Sequence, residues 1–301
     1  MNARTYCREI SRQVHEPMPG TADFVAVWIL LEYTPVWRAR AVEDNDLDAR
    51  VKRWLAQQIA AFANQGKKAR LVFVRQPELP AQGVRLLLAS SAETRVFTLP
   101  GYLELLDLDL TASGARISRE SSLLQAPHYF VCTNGQRDVC CARFGLPAYQ
   151  VLRAEVGRRA WQVTHLGGHR FAPNVLVLPE GVLCGRVDED QVPEFLAEIE
   201  TGQFPLAFSR GRSFYAPEVQ AAESFLRQGV SEASLIPDRV EIAEVTELGT
   251  DRYAVRLCTS EGTYRVEVRR SQEPLEILSS CVEDQLKAVR PFERVHIEKL
   301  G

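Results

Sequence analysis

The strongest constraint on the fold is an order of strands and helices that occurs twice along the chain. Residues 24–31, FVAVWILL, form an apolar, β-branched run with the length of a buried strand. A helix with one apolar face follows, and short strand-like runs lie at 69–74, 84–90 and 94–99. The apolar positions of the helix recur at helical spacing: Leu47, Val51, Trp54, Leu55, Ile59 and Phe62. This order predicts an α/β unit over residues 1–125.

A second unit of the same kind is predicted over residues 126–205. HYFVCT is strand-like, DVCCARFGLPAYQVLRAEV is helical with Pro147 as a restart or kink, and AWQVTH is a further strand. NVLVLPEGVLCGRV then reads as a hairpin that turns at Pro179 to Gly181, and an amphipathic helix begins near Val192. The shared order would suit an internal duplication, although no residues of the two units align.

The last part of the chain, residues 206–301, has a different pattern. After a helix that carries Val219 and Phe225, the segment RYAVRLCTSEGTYRVEVRR alternates apolar and polar residues with period two. Thr259 to Gly262 supply a turn within it. We therefore expect a helix and a small antiparallel sheet, an α+β domain with one face free to pack against the rest of the chain or a partner.

Composition removes several classes of function. The formal net charge is -3, and no stretch interleaves aromatic with basic residues, so we expect no binding of nucleic acid. No apolar run approaches the roughly 18 residues of a membrane span, which predicts no membrane partner. The first residues, MNARTYCREISRQ, lack the apolar core of a signal peptide, so the expected location is cytoplasmic.

Seven cysteines in a reducing compartment do not predict a disulfide framework. Four of them are scattered and are expected to be small buried hydrophobic residues: Cys7, Cys184, Cys258 and Cys281. The other three lie within ten residues of one another in the second unit and call for a chemical explanation.

These three cysteines and two histidines stand at the ends of predicted elements. Cys132 ends a strand, Cys140 and Cys141 open the next helix, His165 ends the following strand, and His169 lies one loop beyond. Strand ends and helix starts converge at one edge of an α/β sheet, so these residues can meet. Thiolate and imidazole are ligands that suit iron-sulfur clusters and zinc.

The neighbours Cys140 and Cys141 cannot both face one ion. Successive helical residues point about 100° apart, so only one of the two thiols is available to a given site. The spacing from Cys132 is Cys-x7-Cys with the first and Cys-x8-Cys with the second, and spacing alone leaves the choice open.

Three segments together match the pattern of a known family: GTADFVAVWILLEYTPVW, VCTNGQRDVCCARFG and THLGGHRFAPNVLVLPEGVLCGRV. They resemble the sucrase/ferredoxin-like family, a branch of the thioredoxin-like [2Fe-2S] ferredoxins. The resemblance covers about residues 7 to 200, and its most specific part is Cys-x8-Cys followed by His-x-Gly-Gly-His. It implies two thioredoxin-like α/β units, with the C-terminal sheet outside the family pattern.

The resemblance also implies a [2Fe-2S] cluster and its ligands, which in this sequence are Cys132, Cys141, His165 and His169. Cys140 then becomes a neighbour of the site. The sequence departs from the family pattern at Asn134, where the family often has histidine, and at Cys184, where an aromatic residue is commoner.

Mixed ligation predicts the redox behaviour of such a cluster. Two ferric ions and two sulfides carry a charge of +2, which two thiolates and two neutral imidazoles bring to zero. Replacing two cysteines by two histidines raises the potential in Rieske centres, so we expect a raised potential here. An imidazole ligand can also lose its outer proton on oxidation, which predicts proton-coupled electron transfer. A one-electron carrier is therefore favoured over an enzyme with its own substrate.

Further residues near the motif are expected to support the cluster. Gly167 and Gly168 allow positive φ and close approach of the backbone, and their amides can bond to sulfide. Asp138 is expected to cap the helix that carries Cys141.

Three arginines, Arg137, Arg143 and Arg170, would surround the site with positive charge. That charge favours an acidic redox partner protein, a reductase or an electron acceptor. The oligomeric state is left open.

Three other interpretations remain. A structural zinc site would use the same ligands, although Cys-x8-Cys departs from the usual zinc spacing. Thiol-disulfide chemistry would suit cysteines at a helix start, but the Cys-x-x-Cys pattern is absent. A redox-inert interaction domain without a cluster is the third. Glycoside hydrolysis is rejected, because no stretch offers a pair of positioned carboxylates.

Overall fold

The main element of the fold is one curved sheet of ten strands, which come from residues 27–212. The computed structural model describes residues 6–80, 83–111, 121–229 and 240–300. The strands of this sheet are β1 (Val27–Glu32), β2 (Ala69–Arg75), β3 (Val84–Ser90), β4 (Thr94–Leu99), β5 (Ser122–Leu123), β6 (His128–Cys132), β7 (Ala160–Val163), β8 (Val175–Leu178), β9 (Val182–Cys184) and β10 (Ser209–Arg212). Their spatial order is β10-β9-β8-β6-β7-β2-β1-β3-β4-β5.

The described residues also contain five α-helices. They are α1 (Cys7–Gln13), α2 (Ala49–Asn64), α3 (Val139–Val156), α4 (Val192–Glu200) and α5 (Pro217–Gly229). No helix among the described residues is both long enough and apolar enough to cross a bilayer.

The two halves of the sheet repeat one topology. In the first half β1 runs parallel to β2 and antiparallel to β3, which pairs antiparallel with β4. In the second half β6 runs parallel to β7 and antiparallel to β8, which pairs antiparallel with β9. The halves join where β2 and β7 pair antiparallel, with Val74 opposite Val163. The shared element order predicted from the sequence is therefore a shared three-dimensional arrangement.

Each half places its long helix by burying an apolar face. The side chain of Asp48 accepts a hydrogen bond from the backbone N–H of Arg50 and caps α2. That helix buries the predicted Val51, Trp54 and Leu55 against the first half of the sheet. Helix α3 covers the second half, contains Pro147 and begins after its cap, Asp138.

A separate four-stranded antiparallel sheet forms most of the C-terminal part. Its strands are β11 (Glu241–Gly249), β12 (Arg252–Thr259), β13 (Gly262–Arg270) and β16 (Phe292–Lys299), in the order β11-β12-β13-β16. The short strands β14 (Leu275–Ile277) and β15 (Lys287–Val289) pair with each other. The predicted fold class, α/β with a small C-terminal antiparallel sheet, is confirmed.

Helix α5 links the small sheet to the large one. Its residues Val219, Ala222 and Leu226 pack in one apolar cluster with Val255 and Val266 of the small sheet. On its other side α5 contacts β10. The predicted boundary before residue 206 therefore falls ahead of the last strand of the large sheet. The β14–β15 connection carries Cys281 back to α3, where the site lies.

Candidate metal centre

The first two residues of the predicted site lie where α3 passes the end of β6. Cys132 is the last residue of β6, and Cys141 lies in the first turn of α3. The helix start is fixed by Asp138, whose Oδ1 accepts a hydrogen bond of 2.9 Å from the N–H of Cys140. The cap predicted for Asp138 is confirmed.

Gly145 allows α3 to lie this close to the strand. A Cβ built on Gly145 would lie 2.2 Å from the carbonyl oxygen of Cys132, so a side chain there would push the helix away. Sequence reasoning did not single out Gly145. A glycine one turn after Cys141 in an otherwise good helix was the available signal, because glycine destabilises a helix interior unless packing requires it.

The two histidines lie on the loop after β7. Gly167 and Gly168 have φ angles of 88° and 70°, so the positive φ predicted for both is confirmed. This backbone folds the loop back and stacks the rings of His165 and His169, with centroids 4.3 Å apart and planes 19° from parallel. His169 is buried, and His165 is half-buried.

All four predicted ligand residues converge. The Sγ atom of Cys141 lies 3.3 Å from Nδ1 of His169. The Sγ atoms of Cys132 and Cys141 and a ring nitrogen of His165 lie within 4.8 Å of one another. Nδ1 of His165 is buried and has no hydrogen-bond partner among the described residues, which is costly unless it binds something. Two sulfurs and two ring nitrogens therefore form a donor set suited to iron or zinc.

The surroundings of Cys132 and His169 favour the protonation state that binds a metal. The Cys141 thiol donates to Cys132, and with the His165 ring this outweighs burial and holds the pKa of Cys132 well below its usual range. The same contact, together with burial, raises the pKa of Cys141. Burial, with the charge of His165 second, lowers the pKa of His169 to about 4. His169 is thus neutral near pH 7, which is the form that binds a metal.

The loop glycines make room for neighbouring side chains. A Cβ on Gly167 would lie 2.5 Å from an oxygen of Asp23, and one on Gly168 would lie 2.5 Å from Nη2 of Arg210. The close approach predicted for these glycines is therefore an approach to Asp23 and Arg210.

Arg210 and Asn174 hold the histidine loop in place. The buried Arg210 guanidinium donates to the carbonyl of Gly167 at 2.9 Å and to Oδ1 of Asn174 at 2.8 Å. Nδ2 of Asn174 in turn donates to the carbonyl of Gly168 at 2.9 Å. Sequence reasoning missed both residues. Arg210 in particular reaches the loop from β10, far along the chain, and carries no local signal.

The three arginines differ from the ring of positive charge that was predicted. Arg170 is paired at 2.8 Å with Glu16, a buried carboxylate that balances its charge. Arg143 lies over the ring of Tyr6, 4.9 Å from its centroid. Arg137 is exposed and lines an open cleft together with His165.

Cys140 belongs to a second group of thiols. Its Sγ atom lies 3.6 Å from that of Cys7 and 3.2 Å from that of Cys281, and the last two sulfurs are 3.4 Å apart. Cys7 and Cys281 were predicted to be scattered hydrophobic residues. Cys7 is buried and Cys281 half-buried, but the structure brings them together. No sequence spacing joins them, since they lie 274 residues apart.

Comparison with known proteins defines the family. The family model described as sucrase/ferredoxin-like matches residues 18–211, nearly two thirds of the chain. The protein belongs to this family. No curated protein and no solved structure matches the chain. The matched residues include Cys132, Cys141, His165 and His169, but Cys7 and Cys281 lie outside them.

Proposed function

We propose that this protein is a ferredoxin-like electron carrier, in which Cys132, Cys141, His165 and His169 hold a [2Fe-2S] cluster. The observation that carries the proposal is the meeting of two thiols and two imidazoles, with Nδ1 of His165 buried and without a hydrogen-bond partner among the described residues. Membership of the sucrase/ferredoxin-like family supports it. When bound, such a cluster accepts and releases one electron.

The residues of the site suit that task. Two thiolates balance the charge of the oxidised cluster, and neutral imidazoles add none. Cys132, Cys141 and His169 are buried, which keeps water from three of the four donors. Arg210 and Asn174 restrain the loop between the histidines, so the donors keep their positions when the charge of the site changes.

His165 offers the route by which electrons would enter and leave. It is the only one of the four donors that is half-buried, and it lines the cleft that also holds Arg137, Asn134 and Arg70. An acidic surface on a redox partner would be attracted by Arg137 at the rim of this cleft. The paired Arg170 adds little to that attraction.

A structural zinc ion is the second candidate for the same centre. The donor atoms of Cys132, Cys141 and His165 lie within 4.8 Å of one another, which is compact enough for a single ion. Zinc commonly takes two cysteines and two histidines in a tetrahedral site.

Purification without oxygen separates the two candidates. We expect a brown protein with two irons and two acid-labile sulfides per chain, and a rhombic EPR signal after reduction. Cys132→Ala should remove the colour and the iron. Cys184→Ala is the matched control, because it deletes a buried thiol of β9 outside this group and should keep both.

Two results would contradict the cluster proposal. A colourless protein with zinc at Cys132, Cys141, His165 and His169 would identify the second candidate. A metal-free protein with a reversible disulfide between Cys132 and Cys141 would instead indicate thiol-disulfide chemistry.

A further inference from the structure

A second set of metal-binding side chains lies beside the first, on the other face of the start of α3. It consists of the thiols of Cys7, Cys140 and Cys281 and the carboxylate of Asp138. One ligand atom from each lies within 4.8 Å of all the others. None of the four is needed as a ligand for the proposed cluster.

We propose that Cys7, Cys140 and Cys281 bind a zinc ion, with a carboxylate oxygen of Asp138 as the fourth ligand. The three sulfurs form a nearly equilateral triangle with sides of 3.2, 3.4 and 3.6 Å. Tetrahedral zinc with bonds of about 2.3 Å places its sulfur ligands about 3.8 Å apart. The thiols therefore need to separate by at most about 0.6 Å to hold the ion.

A backbone donor already points at one of these sulfurs. The N–H of Cys7 donates to Sγ of Cys281 at 3.3 Å. Hydrogen bonds of this kind favour the thiolate over the thiol, and thiolates are the form that binds metal.

Asp138 is placed to complete the site and keeps a free lone pair to do so. Its Oδ2 accepts from Ser280 Oγ at 2.8 Å and from the N–H of Cys281 at 2.7 Å. Its Oδ1 accepts only the cap bond from Cys140 among the hydrogen bonds found in the described residues. A carboxylate offers about four lone-pair sites, so one remains on Oδ1.

The donor set selects zinc among the thiophilic metals. Three thiolates alone would also suit a cuprous ion, but an adjacent carboxylate favours a borderline ion that accepts oxygen ligands. A four-iron cluster does not fit, because its thiolates bind separate irons and cannot lie as close as 3.2 Å. A disulfide would require two of the sulfurs to close to about 2.05 Å.

Such an ion would link α1 and the β14–β15 connection to α3, the helix that carries Cys141 of the proposed cluster. Cys7 opens α1, Cys140 lies in the first turn of α3, and Cys281 lies in the β14–β15 connection. Cys7 and Cys281 fall outside the residues that match the family. The zinc site therefore takes two of its three thiols from outside the matched residues and does not depend on the proposed cluster.

Metal analysis of the full-length protein tests the proposal. Protein produced with added zinc should carry one zinc per chain after passage over a desalting column with a weak chelator. Cys281→Ala and Cys7→Ala should each lose this zinc and keep their iron, if the first centre is loaded. Cys258→Ala is the matched control, because it removes a half-buried thiol of β12 and should keep the zinc.

A measurement on the unaltered protein guards against variants that fail to fold. Alkylation of the folded protein, mapped by mass spectrometry, should spare Cys281 when zinc is bound and label it after zinc is removed. Cobalt added to the zinc-free protein should produce thiolate-to-metal absorption in the near ultraviolet. Asp138→Asn should weaken zinc binding by at least about tenfold in competition with a chelator. The substitution changes one ligand, and it also changes the hydrogen-bond acceptor of the backbone N–H groups of two others, Cys140 and Cys281.

Three outcomes would overturn the proposal. The first is failure of the unaltered protein to bind zinc or cobalt. The second is a disulfide among the three thiols that persists in protein purified with a reductant. The third is zinc that is lost in Cys132→Ala but kept in Cys281→Ala. The last result would place the zinc in the first centre. Since iron and zinc are measured separately, loss of the cluster proposal would leave this one standing.

Discussion

The two cysteine groups meet at the start of α3, yet the chain builds them differently. The first group, Cys132, Cys141, His165 and His169, comes from 38 residues of one α/β unit. The second takes Cys7 and Cys281 from nearly opposite ends of the chain and Cys140 from the middle. Adjacent residues Cys140 and Cys141 point to different groups, because successive helical positions are about 100° apart. One helix turn can therefore serve two sites.

The largest effect is expected from replacing each of these two neighbouring cysteines by alanine. Cys141→Ala should lose nearly all iron and keep zinc, whereas Cys140→Ala should lose zinc and keep iron, because the Cys141 thiol contacts His169 and the Cys140 thiol contacts Cys281. Metal content of both variants, produced side by side with iron and zinc supplied, is the measurement. Loss of both metals in either variant would mean that the groups are not independent.

The same contrast explains what the sequence could predict. Cys132 and Cys141 flank a short loop from strand to helix, and His165 and His169 flank another, so local pattern was enough to bring four residues together. The fold class followed from the same order of apolar runs. Family resemblance supported Cys141 over Cys140, where spacing left both open, and the structure places Cys141 beside His169.

The contacts that pattern could not show are those between distant segments. Arg210 reaches the histidine loop from β10, and Cys281 reaches α3 from the β14–β15 connection. Nothing in the residues near either position marks its partner, because the contact exists only after the sheets have packed. The same holds for Glu16, which balances the charge of Arg170 and so removes it from the predicted positive ring.

The second prediction concerns the histidines, which distinguish the first group from the all-thiol second group. Replacing both His165 and His169 by cysteine should keep a cluster and lower its potential by roughly 250 mV, the smallest difference between Rieske and plant-type centres. Two added thiolates make the centre more negative and harder to reduce. Protein-film voltammetry over a range of pH measures both the potential and its slope.

The pH dependence should change in the same experiment. With imidazole ligands the potential falls as pH rises, because oxidation releases a ring proton. The cysteine variants lack that proton, so their slope should become smaller. His128→Cys is the control, since the His128 side chain lies away from the site and its Nδ1 is hydrogen-bonded to the carbonyl of Ala126. A double variant with the unaltered potential and slope would remove the histidines from the ligand set.

The smallest effect is expected from Gly168→Ala, which tests whether the first group depends on the packing of its loop. An alanine at a φ of 70° costs about 1 kcal/mol, and its Cβ would displace the buried Arg210 guanidinium 2.5 Å away. With weakened hydrogen bonds from that guanidinium, we expect a total loss of about 3 kcal/mol in the free energy of unfolding. Urea unfolding of metal-free protein measures it.

Gly66→Ala supplies the matched control for this loop. Gly66 has a φ of 72°, and a Cβ there would meet no atom of the described residues within 4 Å, so only the backbone cost of about 1 kcal/mol should be seen. The difference between the two variants isolates the contact with Arg210. Gly168→Ala should also hold less iron, because Gly168 lies in the loop between His165 and His169. Its zinc content should be unchanged, because no residue of this loop belongs to the second group of ligands. Equal destabilisation by both substitutions would mean that Arg210 does not hold the loop, and iron binding would then depend on the four donors alone.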